Sequence, residues 1–331
     1  VGANAGVSVT TATELTLIGG LAGDAITTGS TNTLVGYLSG SGITTGGANT
    51  AVGRKAMEAT TTSSDSVAVG SNAMRVNTTG ADNTAVGSAA LESNTTGANN
   101  VALGRSALTA NTTASNNTAV GYQALNASTT ASENVAIGHQ SMLSTTTGGD
   151  NTALGQVSLK SNTTGVSNVA IGRKALQDAT TANQNTAVGT SAMENVTTGS
   201  ENTSVGFQSL DANTTGGSNV AVGHSAMSSN TTASENTAVG KSALASTTTG
   251  SNNTAIGKGA MGANSTGSEN VAVGQDALDA NTTGASNTAL GRASLSSNTT
   301  ATGNTAVGES ALRFSTTSPH NVAVGASSLD A

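Results

Sequence analysis

The chain has 331 residues, with 42 Gly, one Pro, no Cys or Trp, 1% aromatic and 9% charged residues, and a formal net charge of -7. This composition excludes the bulky core of an ordinary globular protein, and the missing cysteines exclude a disulfide scaffold, a thiolate metal site and a thiol nucleophile. The acidic balance counts against nucleic acid or an anionic membrane as partners, and no run of 18 apolar residues is present for membrane insertion.

The chain begins at Val1 with no signal-like segment and reads as a processed product or an excerpt. Gly2, Gly19 and Gly36 already keep a spacing of 17 residues. Gly6, Gly23 and Gly40 stand where later units carry Leu or Met, however, and Leu17 and Leu34 stand where later units carry a small residue. Residues 1–48 are therefore expected as a divergent transition and residues 49–331 as a regular array of 17-residue repeats. Asn-Thr-Ala-Val-Gly recurs at Asn49, Asn83, Asn117, Asn185, Asn236 and Asn304, with variants at Asn134 and Asn287.

Numbered from that Asn, the unit reads roughly N-T/V-A-V-G-x-x-A-L-x-x-N-T-T-G-x-x. All 20 positions from Gly2 to Gly325 in steps of 17 are Gly, and each is preceded by Val, Ile or Leu. All eleven Lys and Arg fall at positions 6, 7 or 10, and 15 of the 18 acids fall at positions 10 or 17. Disordered low-complexity sequence has no physical reason to hold such a register. A stacked coil does, because every position meets its own copy in the next turn.

A period of 17 fits neither a heptad nor the helical solenoid repeats, and Gly, Asn, Thr and Val are poor helix formers. Strands remain. Positions 1 to 5 alternate, which predicts Thr or Val at 2 and Val at 4 pointing into a core that Leu or Met at 9 completes. The expected core residues include Val52, Met57, Val69, Met74, Val86, Leu91, Ile137, Ile171 and Leu176. The expected turn glycines include Gly53, Gly70, Gly87, Gly104, Gly121, Gly138, Gly155, Gly172 and Gly189.

Asn, Ala and Gly at 1, 3 and 5 would then face outward and let another backbone approach closely. The predicted fold is all-β: a parallel β-solenoid, or β-roll, of about 19 coils. At about 4.8 Å per coil, the 331 residues would make a rod on the order of 90 Å long. So thin a core calls for more burial than one chain supplies, so rods are expected to associate side by side as a homotrimeric fibre. With no polar cap evident at either end, the array is expected to continue or to stack end to end as a polymer.

Asn134-Val-Ala-Ile-Gly138 with Ser141, and Asn168-Val-Ala-Ile-Gly172 with Ala175, resemble the head repeat of trimeric autotransporter adhesins. Similar strings occur in bacteriophage tail fibre shafts. The resemblance covers residues 49–331 and implies a left-handed parallel β-roll with three chains around a common axis. It implies Val52, Val69, Ile137 and Ile171 as core residues and Gly53, Gly70, Gly138 and Gly172 as turn glycines. The units here are a few residues longer than that head repeat, the excess lying near Asn-Thr-Thr-Gly.

Repetition multiplies like groups, whereas an active site needs unlike groups converging once. His139 and His224 sit at position 6, where other units carry Arg or Lys, and His320 lies in a loop; all three read as surface residues. No catalytic, cofactor or metal site is expected, because G-x-S-x-G elbows with partners, GxGxxG loops and calcium-type Gly-Gly-x-Gly-x-Asp repeats are missing. The expectation is a non-enzymatic structural fibre segment, a rigid spacer or adhesive shaft that is extracellular, on a cell surface or virion. Its partners would be itself and a cell-surface receptor or glycan. The alternatives are a self-polymerising extracellular matrix filament and an ice-binding β-solenoid. The last is suggested by Thr at positions 13 and 14 in nearly every coil, although adjacent strand residues face opposite ways.

Overall fold

A computed structural model describes residues 2–330. It contains three-residue strands from β1 (Thr16–Ile18) to β19 (Val322–Val324), each starting 17 residues after the last, and no helix among the described residues. Two compact units are formed, Val1–Ser167 and Asn168–Ala331. Each is a parallel β-solenoid of 17-residue coils. The first holds β1 to β9 (Thr152–Leu154) and the second β10 (Val169–Ile171) to β19. Within each unit successive strands pair in parallel with equivalent positions opposite one another, Ala68 against Ala85 in the first and Ala221 against Ala238 in the second.

Backbone hydrogen bonds leave each coil for its neighbours. In the coil of β5 (Thr84–Val86), the N–H of Thr84 donates to Asn100 O at 2.8 Å, that of Leu91 to Ala107 O at 3.0 Å and that of Thr95 to Thr112 O at 2.8 Å. In the opposite direction Gly87 donates to Val69 O at 2.8 Å and Ala89 to Ser71 O at 3.0 Å. The ladder thus extends well past the three strand residues and satisfies the corners as well. Those corners need left-handed residues at positions 7, 9 and 17, represented by Ala89 (φ 56), Leu91 (φ 52) and Asn99 (φ 58). A left-handed Leu is intrinsically unfavourable, so tertiary packing holds it there.

The strand faces the other way from the sequence expectation. Ala51, Ala68 and Ala85 at position 3 are fully buried, as are Asn49 and Asn83 at position 1. Val52, Val69, Ile137 and Ile171 are only half-buried, and Val86 is 38% exposed. These five do not belong to the interior of the chain, and the small residues expected outside line it instead. Met57, Met74, Leu91 and Leu176 at position 9 are fully buried.

The physical reason is the width of the lumen. Where position 9 is Gly40, a Cβ built there would come within 2.7 Å of Leu34 Cδ1 from the opposite wall. One large side chain fills this level. With Leu or Met projecting from position 9, the strand wall has room for Ala and none for Val, so its Thr and Val turn outward.

The rest of the interior is polar and paired. Asn100 donates its side-chain amide to Asn83 Oδ1 at 3.1 Å and to Ala114 O at 2.9 Å, and Asn83 Oδ1 also accepts the backbone N–H of Asn100 at 2.9 Å. A second column runs at position 12, where Asn94 donates to Asn77 Oδ1 at 2.8 Å and Asn111 to Asn94 Oδ1 at 2.7 Å. Buried amides are tolerated because each finds a partner in the adjacent coil. Asn111 Oδ1, followed in its column by Ser128, is an exception with no partner.

Candidate functional site

The predicted turn glycines all sit at the end of a strand with φ from 130 to 142, at Gly172 and Gly155 respectively. A side chain is excluded there on two grounds. The backbone is one that L-residues rarely adopt, and a Cβ at Gly172 would lie 2.5 Å from Gly189 O in the next coil. These residues form a structural spine and carry no chemistry of their own.

The charged and aromatic side chains lie in columns on the outside. The strand presents positions 2 and 4: Thr or Val, then Val, Ile or Leu. The chain enters that face past position 17 and leaves it past position 6, so these two columns form its edges. Position 6 carries three of the four aromatic residues, Tyr37, Tyr122 and Phe207, and six of the eleven Lys and Arg. Stacking of coils puts these side chains on top of one another. The Arg105 guanidinium lies 5.9 Å from the Tyr122 ring centroid, and the Tyr122 and His139 rings stack at 5.4 Å. In the second unit the Phe207 and His224 rings lie 5.3 Å apart, tilted by 32°. Position 17 carries acids along both units, including Asp65, Asp82, Glu133, Glu201 and Glu235, all exposed.

The ion pairs among the described residues link columns 6, 7 and 10: Lys55 with Glu58 and Arg75 with Glu92, both at 2.9 Å, Lys174 with Glu194 at 2.8 Å, and Arg292 with Glu309. Burial pushes the Glu194 carboxyl up, but hydrogen bonds from Lys174 and Ser191 and the charges of Lys174 and Arg173 outweigh it and hold the group below its ordinary range. Asp211 is raised, first by burial and then by the charge of Glu194; Asp279 is raised by burial and by Asp276. Glu309 is lowered by its hydrogen bond to Arg292.

His139 and His224 lie on the position-6 column, and His224 Nδ1 is 3.0 Å from the neighbouring Ser225 Oγ. Among the described residues no three His, Cys, Asp or Glu cluster as metal ligands would. A depression of about 320 Å³ lies at the last coils, lined by Leu312, Phe314, Ser315, Thr316, Ser318, Asn321 and Leu329. It has hydroxyls and one carboxamide but no titratable group, and so offers no acid–base pair.

One column was undervalued in the sequence. Thr at position 14 is exposed in every coil from Thr11 to Thr317, while Thr at position 13 turns its hydroxyl to the neighbouring coil, as Thr95 Oγ1 does to Thr112 O at 2.9 Å. The adjacent threonines therefore split between a structural ladder and an outward rank. Fold and surface together define a β-solenoid repeat protein. No family model matches the chain, and no curated protein matches it significantly.

Proposed function

We propose that this chain is a non-enzymatic structural segment, a stiff spacer or adhesive shaft displayed outside a cell or on a virion. Copies of the chain assemble with one another, and the outward columns meet a receptor or glycan. One observation carries this reading: within each unit the coils are tied to their neighbours by recurring backbone bonds, so chemistry recurs in columns and mechanical resistance recurs with it. A load along a unit is shared among the several bonds between two coils, and a coil leaves only when all of them break.

Single-molecule pulling on the full chain tests the reading. Stepwise peaks are expected, each releasing one coil, or about 60 Å of extended chain. Smooth low-force extension would remove the mechanical role.

The uninterrupted exposed Thr column favours a second reading, a surface that orders water against ice. Its repeat of about 4.8 Å sets hydroxyl and methyl groups at regular intervals along each unit. Thermal hysteresis above the buffer value, lost when several position-14 threonines are replaced by Lys, would support it; no hysteresis dismisses it.

A further inference from the structure

Two properties of the outer surface meet at the strand face. The first is uncovered apolar area. Position 4 is aliphatic in every strand, with Val86 and Leu154 38% and 44% exposed in the first unit and Val205 and Ile256 38% and 40% exposed in the second. A row of that kind running along a whole unit marks a contact surface. The second is a sorting of charge to the two edges of the same face. Every Lys and Arg of the chain lies at positions 6, 7 or 10, so the position-17 edge has none and carries only acids among its charged side chains apart from His320. The position-6 edge carries Arg54 and Arg105 in the first unit and Arg173, Lys241, Lys258 and Arg292 in the second, with Glu309 its one acid. The internal ion pairs join columns 6, 7 and 10 among the described residues and use no position-17 carboxylate.

Symmetry turns this sorting into an orientation. A second copy laid face to face and running the same way, related by an axis along the coil stack, sets each position-6 edge against a position-17 edge. Turned end for end, it sets acid edge on acid edge and basic edge on basic edge. At equal height the parallel arrangement places Glu133 opposite the second copy's His139, and Glu235 opposite the second copy's Lys241. It brings no two like charges together in any coil.

We propose that the strand face of each unit is covered by the same face of a second, parallel copy of this chain, with the position-6 column of one along the position-17 column of the other. The proposal rests on the reading of the chain as a self-associating shaft and adds the surface, the direction and the register. The apolar rows at positions 2 and 4 would pack as two sheets do, about 10 Å apart. Edge charges then select parallel over antiparallel pairing and lose strength as salt is added.

The chain contains no cysteine, so introduced thiols report without background. Ser88 at position 6 and Asp82 at position 17 flank β5 at one height. Full-length Ser88→Cys chains mixed with full-length Asp82→Cys chains should form a disulfide-linked pair under mild oxidation, and neither variant alone should. A link formed by Ser88→Cys chains alone, or none in the mixture, overturns the proposal.

As a second variant, Val86→Lys with Leu154→Lys places charges on outward positions that folding does not bury. Association measured by sedimentation should weaken about a hundredfold or more with the circular dichroism unchanged; undiminished association overturns the proposed surface. A wild-type chain that sediments as a monomer refutes the pairing while stepwise pulling still supports a shaft. Featureless pulling by a cross-linked parallel pair would have the reverse meaning.

Discussion

Around β1 and β2 (Thr33–Val35) the lumen takes Leu17 or Leu34 from position 3 and Ile26 or Ile43 from position 12, with Gly23 or Gly40 at position 9. Around β5 the same three places hold Ala85, Asn94 and Leu91. The backbone is common to both regions. Gly40 has φ 57 where Leu91 has φ 52, and Gly36 has φ 141 where Gly87 has φ 133. What changes is the wall that supplies the large side chain, and whether position 12 closes the lumen with hydrocarbon or with a ladder of amides. The path of the chain is thus set by the left-handed corners and the Cβ-free spine, and the filling is interchangeable if its volume is kept. At the junction, Thr60 occupies position 12 between Ile43 and Asn77, and its buried Oγ1 has no partner.

The comparison breaks first if the spine is dispensable. Gly172→Val combines φ 130 with a Cβ 2.5 Å from a carbonyl oxygen, and should cost about 4 kcal/mol or more in denaturant unfolding. A loss below 1 kcal/mol would mean that the backbone is not the common element.

A double-mutant cycle probes the interchange of fillers. Leu34→Ala alone empties the level that Gly40 cannot fill and should cost about 3 kcal/mol. Gly40→Leu alone overpacks against Leu34 and should cost about 1–3 kcal/mol. Together they restore the later pattern at positions 3 and 9, with Ile43 still at position 12, so the double variant should cost less than the sum of the two. Additive losses would show that the two regions have different backbones.

Smaller again is the effect of Ser128→Asn, which offers Asn111 Oδ1 the donor it lacks and should raise stability by about 1 kcal/mol if amide ladders are what close the later coils.

The smallest concerns Asp211. Burial, followed by the charge of Glu194, raises its pKa above the ordinary 3.8. The folded state therefore holds this proton more tightly than the unfolded chain, and stability falls as pH rises through that raised value. Asp211→Asn should flatten the decline and gain less than about 0.5 kcal/mol at pH 7, since solvent screens a half-exposed group. An unchanged pH profile of the melting temperature would remove Asp211 from the account.

Period, strand class and the spine were legible because they are enforced in every coil: Gly53 to Gly189 admit no other residue, and Met57, Leu91 and Leu176 fill the one wide level. The facing of the strand was not, because Thr-Ala-Val-Gly looks aliphatic on the side that turns away from the chain's own lumen. Two signals were present. Position 2 exchanges Thr for Val freely, as at Thr84 and Val101, which a sealed interior would not allow; position 1 is Asn in nearly every later coil and never charged, which marks a buried, paired amide. The left-handed corners at Leu91 and Leu125 left no trace in composition, since neighbouring coils stabilise a conformation that Leu itself disfavours.

The spine also governs how such a chain can change over generations. Inserting or deleting a single amino acid would leave one coil with 18 or 16 residues, which must bulge or pull its glycine off the column against the neighbouring carbonyl group, while the coils beyond it keep their 17-residue spacing. Gain or loss of a whole 17-residue block leaves each group above a copy of itself. Length in this architecture is quantised, and recombination between repeats is the operation that alters it without a misfit.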